Sequence, residues 1–334
     1  MMRSTALPLR AERLARGALR RVRHLVPRAP RPAILMYHRI AEESFDPWQL
    51  AVSPAYFAEH MQWVRRARLP LPLAEFARRH RDGSLPPSAI AVTFDDGYAC
   101  NATTAAPILE RLGIPATIFL PAELIGSTRL FWWDELRAIV FAHDGSTLQL
   151  DGEELGLGPR SPNDDHWPRQ LDQRTLRQQA FYSLWSRLQT KPPVELQRLM
   201  DELRAQVPVD TPQSHRLMTP DEVRSIRSDL VEFGSHALSH PSLPNLPLAE
   251  KKREIRRSVA ACEAISGARP RTFAYPFGEF DADCEREVEA AGFACACTTE
   301  RQPVRNSDRL FALPRIQVEN LNVRGLKSAV AGDD

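Results

Sequence analysis

Two short stretches combine residue types that can hold a metal and move a proton. In Thr93-Phe94-Asp95-Asp96-Gly97 two carboxylates stand side by side, after the apolar pair Ala91-Val92 and before a glycine. The apolar, β-branched run predicts a short buried strand, and Gly97 lets the chain turn straight after the acids. At a strand end such a turn brings both side chains to one mouth, where one carboxylate can hold a divalent ion while its neighbour accepts a proton. Asp-Asp-Gly is also an ordinary turn sequence, so the pair alone decides little. The second stretch, Phe233-Gly234-Ser235-His236-Ala237-Leu238-Ser239-His240-Pro241, sets two imidazoles four residues apart. In one helical turn both would project from the same face, a spacing that suits a divalent metal. The stretch follows the apolar run 230–233, which reads as another strand. Two imidazoles and one carboxylate leave room on a metal for water and a substrate oxygen.

The elements that must position these residues follow in chain order. Residues 33–37 form an apolar run that leads into His38 and Arg39, with Pro30 and Pro32 insulating it from what precedes; it predicts a buried strand with His38 at its end. Ser53-Pro54 opens a helix over 54–68, with Tyr56, Phe57, His60, Met61 and Val64 on its inner side, and a shorter helix is expected over 72–81. After the carboxylates, 101–112 reads as a helix stopped by Gly113 and 114–120 as the next strand. Later, 248–266 and 281–291 read as helices ended by Gly267 and Gly292, with strands at 272–275, 293–298 and 313–318. This alternation argues for parallel pairing in an α/β fold. With the acids and histidines at strand C-terminal ends, it fits a distorted (β/α) barrel of seven or eight strand–helix units. Between about 121 and 229 the pattern loosens. Phe131-Trp132-Trp133 opens a helix, Asp151-Gly152 centres a small hairpin, 172–206 is strongly helical, and Thr219-Pro220-Asp221-Glu222 is a helix start. The expected organisation is a basic arm over 1–32 and a barrel over 33–330 carrying a mostly helical insertion.

In order, TFDDG at 93–97, GSHALSHP at 234–241 and FAYPFG at 273–278 resemble the motifs of the NodB-type polysaccharide deacetylase family, metal-dependent carbohydrate de-N-acetylases of the carbohydrate esterase family 4 kind. The resemblance runs from about residue 33 to about 320, and three ordered motifs are far more specific than any one. It implies a hydrolase acting on a non-peptide C–N bond, with Asp96, His236 and His240 as metal ligands and Asp95 as the base. Phe277, in the turn Tyr275-Pro276-Phe277-Gly278, aligns with the family's backbone oxyanion donor, so Tyr275, Phe277 and Gly278 are expected at the substrate. His38 matches a histidine that protonates the leaving amine in the branch acting on poly-N-acetylglucosamine; a core histidine with a backbone partner is the competing reading. Two features depart from the family. Ala274 stands where an Arg usually flanks the base, and Arg315 in Leu313-Pro314-Arg315-Ile316 is the candidate replacement. The usual late Leu-x-His is absent. Zinc is the expected ion, though cobalt, nickel or iron also suit the donor set. The expected partner is an N-acetylated glycan or a lipid-linked sugar. Competing readings keep the site and change the substrate to a formamido sugar or another amide, or keep only the fold as a silent glycan-binding or assembly protein. Trp132, Trp133 and Trp185 can stack on sugar rings, although such residues more often pack.

Composition sets outer bounds. The chain has 334 residues, 43% of them hydrophobic and 26% charged, as expected of an ordinary globular protein. It has no apolar run long enough to predict a membrane-spanning helix. The net charge of +2 hides an asymmetry: residues 1–32 hold nine Arg and one acid, Glu12, so the rest is acidic on balance. Over 9–26 the arm reads as an amphipathic basic helix with no secretory pattern. Two roles are open to it: peripheral contact with an anionic membrane surface, or a solvated or packing helix. Nothing like a recognition module accompanies it, so nucleic acid is not an expected partner. The five cysteines are an odd set without the density of a disulfide framework. They read as reduced thiols, with Cys295 and Cys297 on a strand, and place the chain in the cytoplasm, with the inner face of the membrane as its point of peripheral contact.

Overall fold

The computed structural model describes residues 30–168, 171–207, 215–226 and 229–332. The basic arm over 9–26, with the membrane contact expected of it, lies outside these residues. Among the described residues no helix is long and apolar enough to cross a membrane.

The strands, in chain order, are β1 (Ala33–Tyr37), β2 (Arg39–Ile40), β3 (Ala51–Val52), β4 (Leu69–Pro70), β5 (Ala89–Phe94), β6 (Ala116–Leu120), β7 (Thr147–Leu150), β8 (Glu153–Gly156), β9 (Val231–Ser235), β10 (Thr272–Ala274), β11 (Cys295–Cys297) and β12 (Ile316–Gln317). One parallel sheet runs β11-β10-β9-β6-β5-β1-β12, with β4 also paired to β5. β1, β5 and β6 are buried along their whole length, which is why they read as unbroken apolar runs: a parallel strand covered on both faces has no polar side. The segment holding β12 meets both ends of the sheet. Ile316 and Gln317 pair with Leu35 and Met36 of β1, while Leu313 bridges to Cys297 of β11. The sheet is thereby curled into the expected distorted barrel, except that β11 and β12 are joined by irregular chain without a helix.

The helices form where caps and apolar stripes predict them. Ser53 caps Pro54–Ala67 by accepting from the Tyr56 N–H, with Phe57, His60, Met61 and Val64 inward. Leu248–Ser266 ends at Gly267 in the left-handed conformation, and its buried stripe includes Glu254 among Ile255, Val259 and Cys262. Thr219 and Glu222 make a reciprocal capping box on Pro220–Ser225.

The insertion has a core of its own. Leu136, Ile139 and Val140 from Trp132–Ala142 pack with Leu148 and Leu150 of the β7–β8 hairpin, Phe181 and Leu184 from Leu176–Gln189, and Leu199 to Val207. From Arg216 the chain is back on the barrel: Arg216 O accepts from the Ala99 N–H and the Met218 N–H donates to Gly97 O. All five cysteines are buried and unpaired.

Candidate metal centre and its surroundings

Asp95 and Asp96 follow directly from β5. Asp95 N–H donates to Tyr37 O, which extends the β1–β5 pairing by one residue. Asp96 then takes φ 74° and Gly97 φ 65°, so the chain reverses its hand at the second acid and both carboxylates line one cleft of about 220 Å³ with His38, His236 and His240. A side chain at Gly97 would meet Ile125 at 2.9 Å, so the turn is held closed by the loop after β6.

His236 and His240 lie on a loop after β9, not on the helical turn expected from their spacing. Ala237 and His240 both adopt the left-handed conformation, at φ 62° and 59°, which is incompatible with an α-helix of L-residues. The loop is shaped instead by Glu254. Its buried carboxylate accepts from the backbone N–H groups of Leu238 and Ser239 and from the Ser239 hydroxyl. Two of the three prospective ligands thus sit in strained backbone, which persists only where surrounding structure enforces it.

The three side chains converge. Asp96 Oδ1 is 3.6 Å from His236 Nε2 and 3.3 Å from His240 Nε2, and one ligand atom from each residue lies within 4.8 Å of the others. His236 Nδ1 donates to Ala274 O at 2.7 Å, a bond that fixes the tautomer and leaves the Nε2 lone pair on the Asp96 side. Burial lowers the His236 imidazole to about 4, so it is in the neutral, ligating form. The donor set is therefore chemically fit for a divalent ion, and it is the one such cluster among the described residues.

Asp95 is held differently. Arg315 is fully buried, and its two terminal nitrogens donate to the two Asp95 oxygens at 2.7 Å each, while its Nε donates to Thr298 O. Burial would raise the Asp95 carboxyl, but the facing guanidinium outweighs it and holds the group well below the usual carboxylate range. Arg315 thus places a buried cation directly against Asp95. It arrives on the segment that closes the sheet, opposite β1.

His38 lines the cleft, and its backbone is anchored by Asn101, whose side-chain amide donates to His38 O at 2.8 Å. Phe277 takes φ 57° and lays its ring 4.7 Å from His240. Gly278 follows at φ 74°, with the Thr299 backbone nitrogen 2.6 Å from where a Cβ would stand, so only glycine fits. Tyr275 corrects the expectation of substrate contact. Its side chain is buried in the core, stacked on Phe280 at 4.8 Å, and its hydroxyl donates to Phe311 O at 3.0 Å.

Sequence reasoning missed several residues. Trp48 and Gln317 line the cleft, and the Gln317 amide donates to Trp48 O at 3.0 Å; neither belongs to a motif. Glu254 left one trace, a carboxylate on the apolar stripe of its helix. Glu279 accepts from Ser242, two residues after His240, and from Gln189 at the end of the insertion helix Leu176–Gln189, tying both to the turn after β10.

A curled parallel sheet with an Asp–His–His cluster and an arginine-held carboxylate at its strand ends defines the carbohydrate-deacetylase class of barrel. Comparison agrees. The polysaccharide deacetylase family model matches residues 82–145 and 198–296, so over these segments the chain is similar to that family. Over 133 residues it is 33% identical to YxkH of Bacillus subtilis (strain 168), whose polysaccharide deacetylase designation is itself provisional; the match covers 38% of this chain and 46% of that one. Over 84 residues it is 32% identical to the poly-beta-1,6-N-acetyl-D-glucosamine N-deacetylase of Escherichia coli (strain K12), covering 25% of this chain and 12% of the relative. The chain thus matches less than half the length of these relatives. Among solved structures it is similar in fold to the Streptococcus pyogenes deacetylase PplD (TM-score 0.58, 16% identity, 89% of this chain and 97% of that one). IcaB from Ammonifex degensii gives a TM-score of 0.56 at 16% identity, covering 90% of this chain and 96% of that one.

Proposed function

We propose that the protein is a metal-dependent hydrolase that removes N-acetyl groups from a glycan, releasing acetate and a free amine. The observation that carries this reading is the convergence of Asp96, His236 and His240 beside a second carboxylate that is not needed as a ligand. A divalent ion held by these three residues, zinc by preference, would polarise the amide carbonyl and make water a competent nucleophile near neutral pH. Asp95 takes the proton of the attacking water, and Arg315 keeps that carboxylate ionised and aimed at the cleft. The backbone N–H of Phe277 stabilises the negative charge that develops on the carbonyl oxygen, an interaction worth about 10²–10³ in rate where it has been removed elsewhere. His38 gives a proton to the departing nitrogen, which must leave as an amine because an amide anion is far too basic.

The test is amine release from N-acetylglucosamine oligosaccharides, with and without chelator and added Zn²⁺. Release that chelator abolishes and zinc restores supports the proposal; no release from any oligosaccharide by zinc-loaded protein sinks it. A His38→Ala protein with unimpaired turnover would remove the general-acid assignment alone.

A further inference from the structure

The insertion carries a run of aromatic rings that leads away from the metal ligands. His240 contacts the Trp133 ring at 4.9 Å, and Trp133 meets Trp132 edge-on at 5.6 Å. Trp132 then stacks on Trp185 at 6.2 Å with 25° between planes. Exposure grows along the run: Trp133 is 5% exposed, while Trp132 and Trp185 are half-buried. Trp185 and Trp48 line the metal cleft; Trp132 lines a second hollow of about 170 Å³, and Trp133, His240 and Phe277 border both. The Trp132–Trp185 pair is therefore a ridge with a hollow on either side, one of them holding the proposed chemistry. Polar groups edge the second hollow, among them Gln189, Ser242 and the exposed Arg129. Flat apolar faces flanked by hydrogen-bonding groups match a sugar ring, whose C–H faces are apolar and whose rim carries hydroxyls. The Trp48 indole N–H, buried beside the cleft, has no protein acceptor. Trp185 falls in 146–197, which the family model leaves unmatched, whereas Trp132 lies within the matched 82–145, so it is the Trp185 side of the ridge that departs from the family pattern.

We propose that the Trp132–Trp185 ridge and the hollow beside it form a sugar subsite supplied by the insertion, seating the residue next to the one presented to Asp95 and Asp96. The inference rests on reading the cleft as a deacetylase centre, and it makes the insertion a reader of glycan length. Its occupant is a neighbouring sugar, not a lipid tail.

Binding calorimetry on chelator-treated full-length protein separates this inference from the deacetylase reading, because no turnover is needed. The probes are N-acetylglucosamine, its trimer and pentamer, and an octyl glycoside of N-acetylglucosamine. The expected result is a trimer bound at least about tenfold more tightly than the monomer, with most of that advantage lost in Trp132→Leu and Trp185→Leu and largely kept in the Phe variants. Arg129→Ala, an exposed change without folding risk, should weaken the trimer a few-fold and leave the monomer alone. A trimer bound no better than the monomer, a length advantage that survives both Leu substitutions, or an octyl glycoside preferred over the trimer would each overturn the proposal. Failure of amine release with these binding results intact would overturn only the deacetylase reading.

Discussion

Two buried arginine–carboxylate clusters flank β1, built from the same residue types. In one, Arg315 clasps Asp95 through both terminal nitrogens, and Asp95 lines the cleft with Asp96, His236 and His240. In the other, Arg39 on β2 faces Asp134 at 3.3 Å, Asp46 at 3.2 Å and His215 at 2.7 Å, with Glu43 and Arg137 closing the group around His215. None of Arg39, Asp134 or His215 lines the cleft. Asp134 belongs to the first helix of the insertion and also accepts from the hydroxyl of Tyr98, two residues beyond Asp96, so this second cluster bolts the insertion to the barrel. Charge and burial do not separate chemistry from architecture here. What separates them is whether an oxygen of the cluster meets the space where a substrate can stand.

The contrast can be broken at graded points. Asp96→Ala should have the largest effect, with metal content lost by elemental analysis and activity down by about 10³ or more. Asp95→Asn should retain the ion yet lose about 10²–10⁴ in kcat, the scale of general base catalysis; an Asp95→Asn protein that also loses its ion would merge the two carboxylate roles. Arg315→Lys should cost about 10–100-fold in kcat and shift the pH profile. Arg315→Ala should in addition destabilise the fold by roughly 3–5 kcal/mol, because a buried carboxylate is left without its partner.

On the architectural side, Asp134→Ala should lose a similar few kcal/mol in urea unfolding while kcat stays within about threefold of wild type. Turnover that vanishes in a folded Asp134→Ala protein would erase the distinction. The smallest effect is one of pH. Burial raises the Asp134 carboxyl, but Arg39 prevails and lowers it to about 2. Its stabilisation, roughly 2 kcal/mol, is therefore complete above about pH 4 and disappears as the pH falls through about 2. Burial lowers His215, but its bonds to Asp134 and Glu43 win and raise it. That contribution is full below about pH 6.5 and fades as the pH climbs past the raised value. Chemical denaturation across pH 2–9 should show a plateau between these limits in wild type and a flatter curve in Asp134→Asn.

What could be read without a structure tracks how local the signal is. The strand before Asp95, the capped helices and Gly267 are short-range patterns, and they stand where the residues predict. The pairing of Arg315 with Asp95 joins residues 220 apart and was legible only because Ala274 left a charge unaccounted for. The histidine loop was misread since a four-residue interval is silent about backbone hand, and the left-handed Ala237 and His240 depend on Glu254 from another element. Tyr275 sits within a motif, yet alternation along its extended backbone turns the ring into the core. Trp48 and Gln317 reach the cleft from positions with no pattern at all.

The segment running from Leu313 to Gln317 zips the first strand of the barrel to its last sheet edge, and it is the same segment that delivers Arg315. Closure of the barrel and pairing of the Asp95 carboxylate with its cation are therefore one event. A folding intermediate with this seam still open would harbour a carboxylate in an apolar setting without its cation, and it would be disfavoured. Under the proposed mechanism, a molecule able to abstract a proton would be one whose seam has closed.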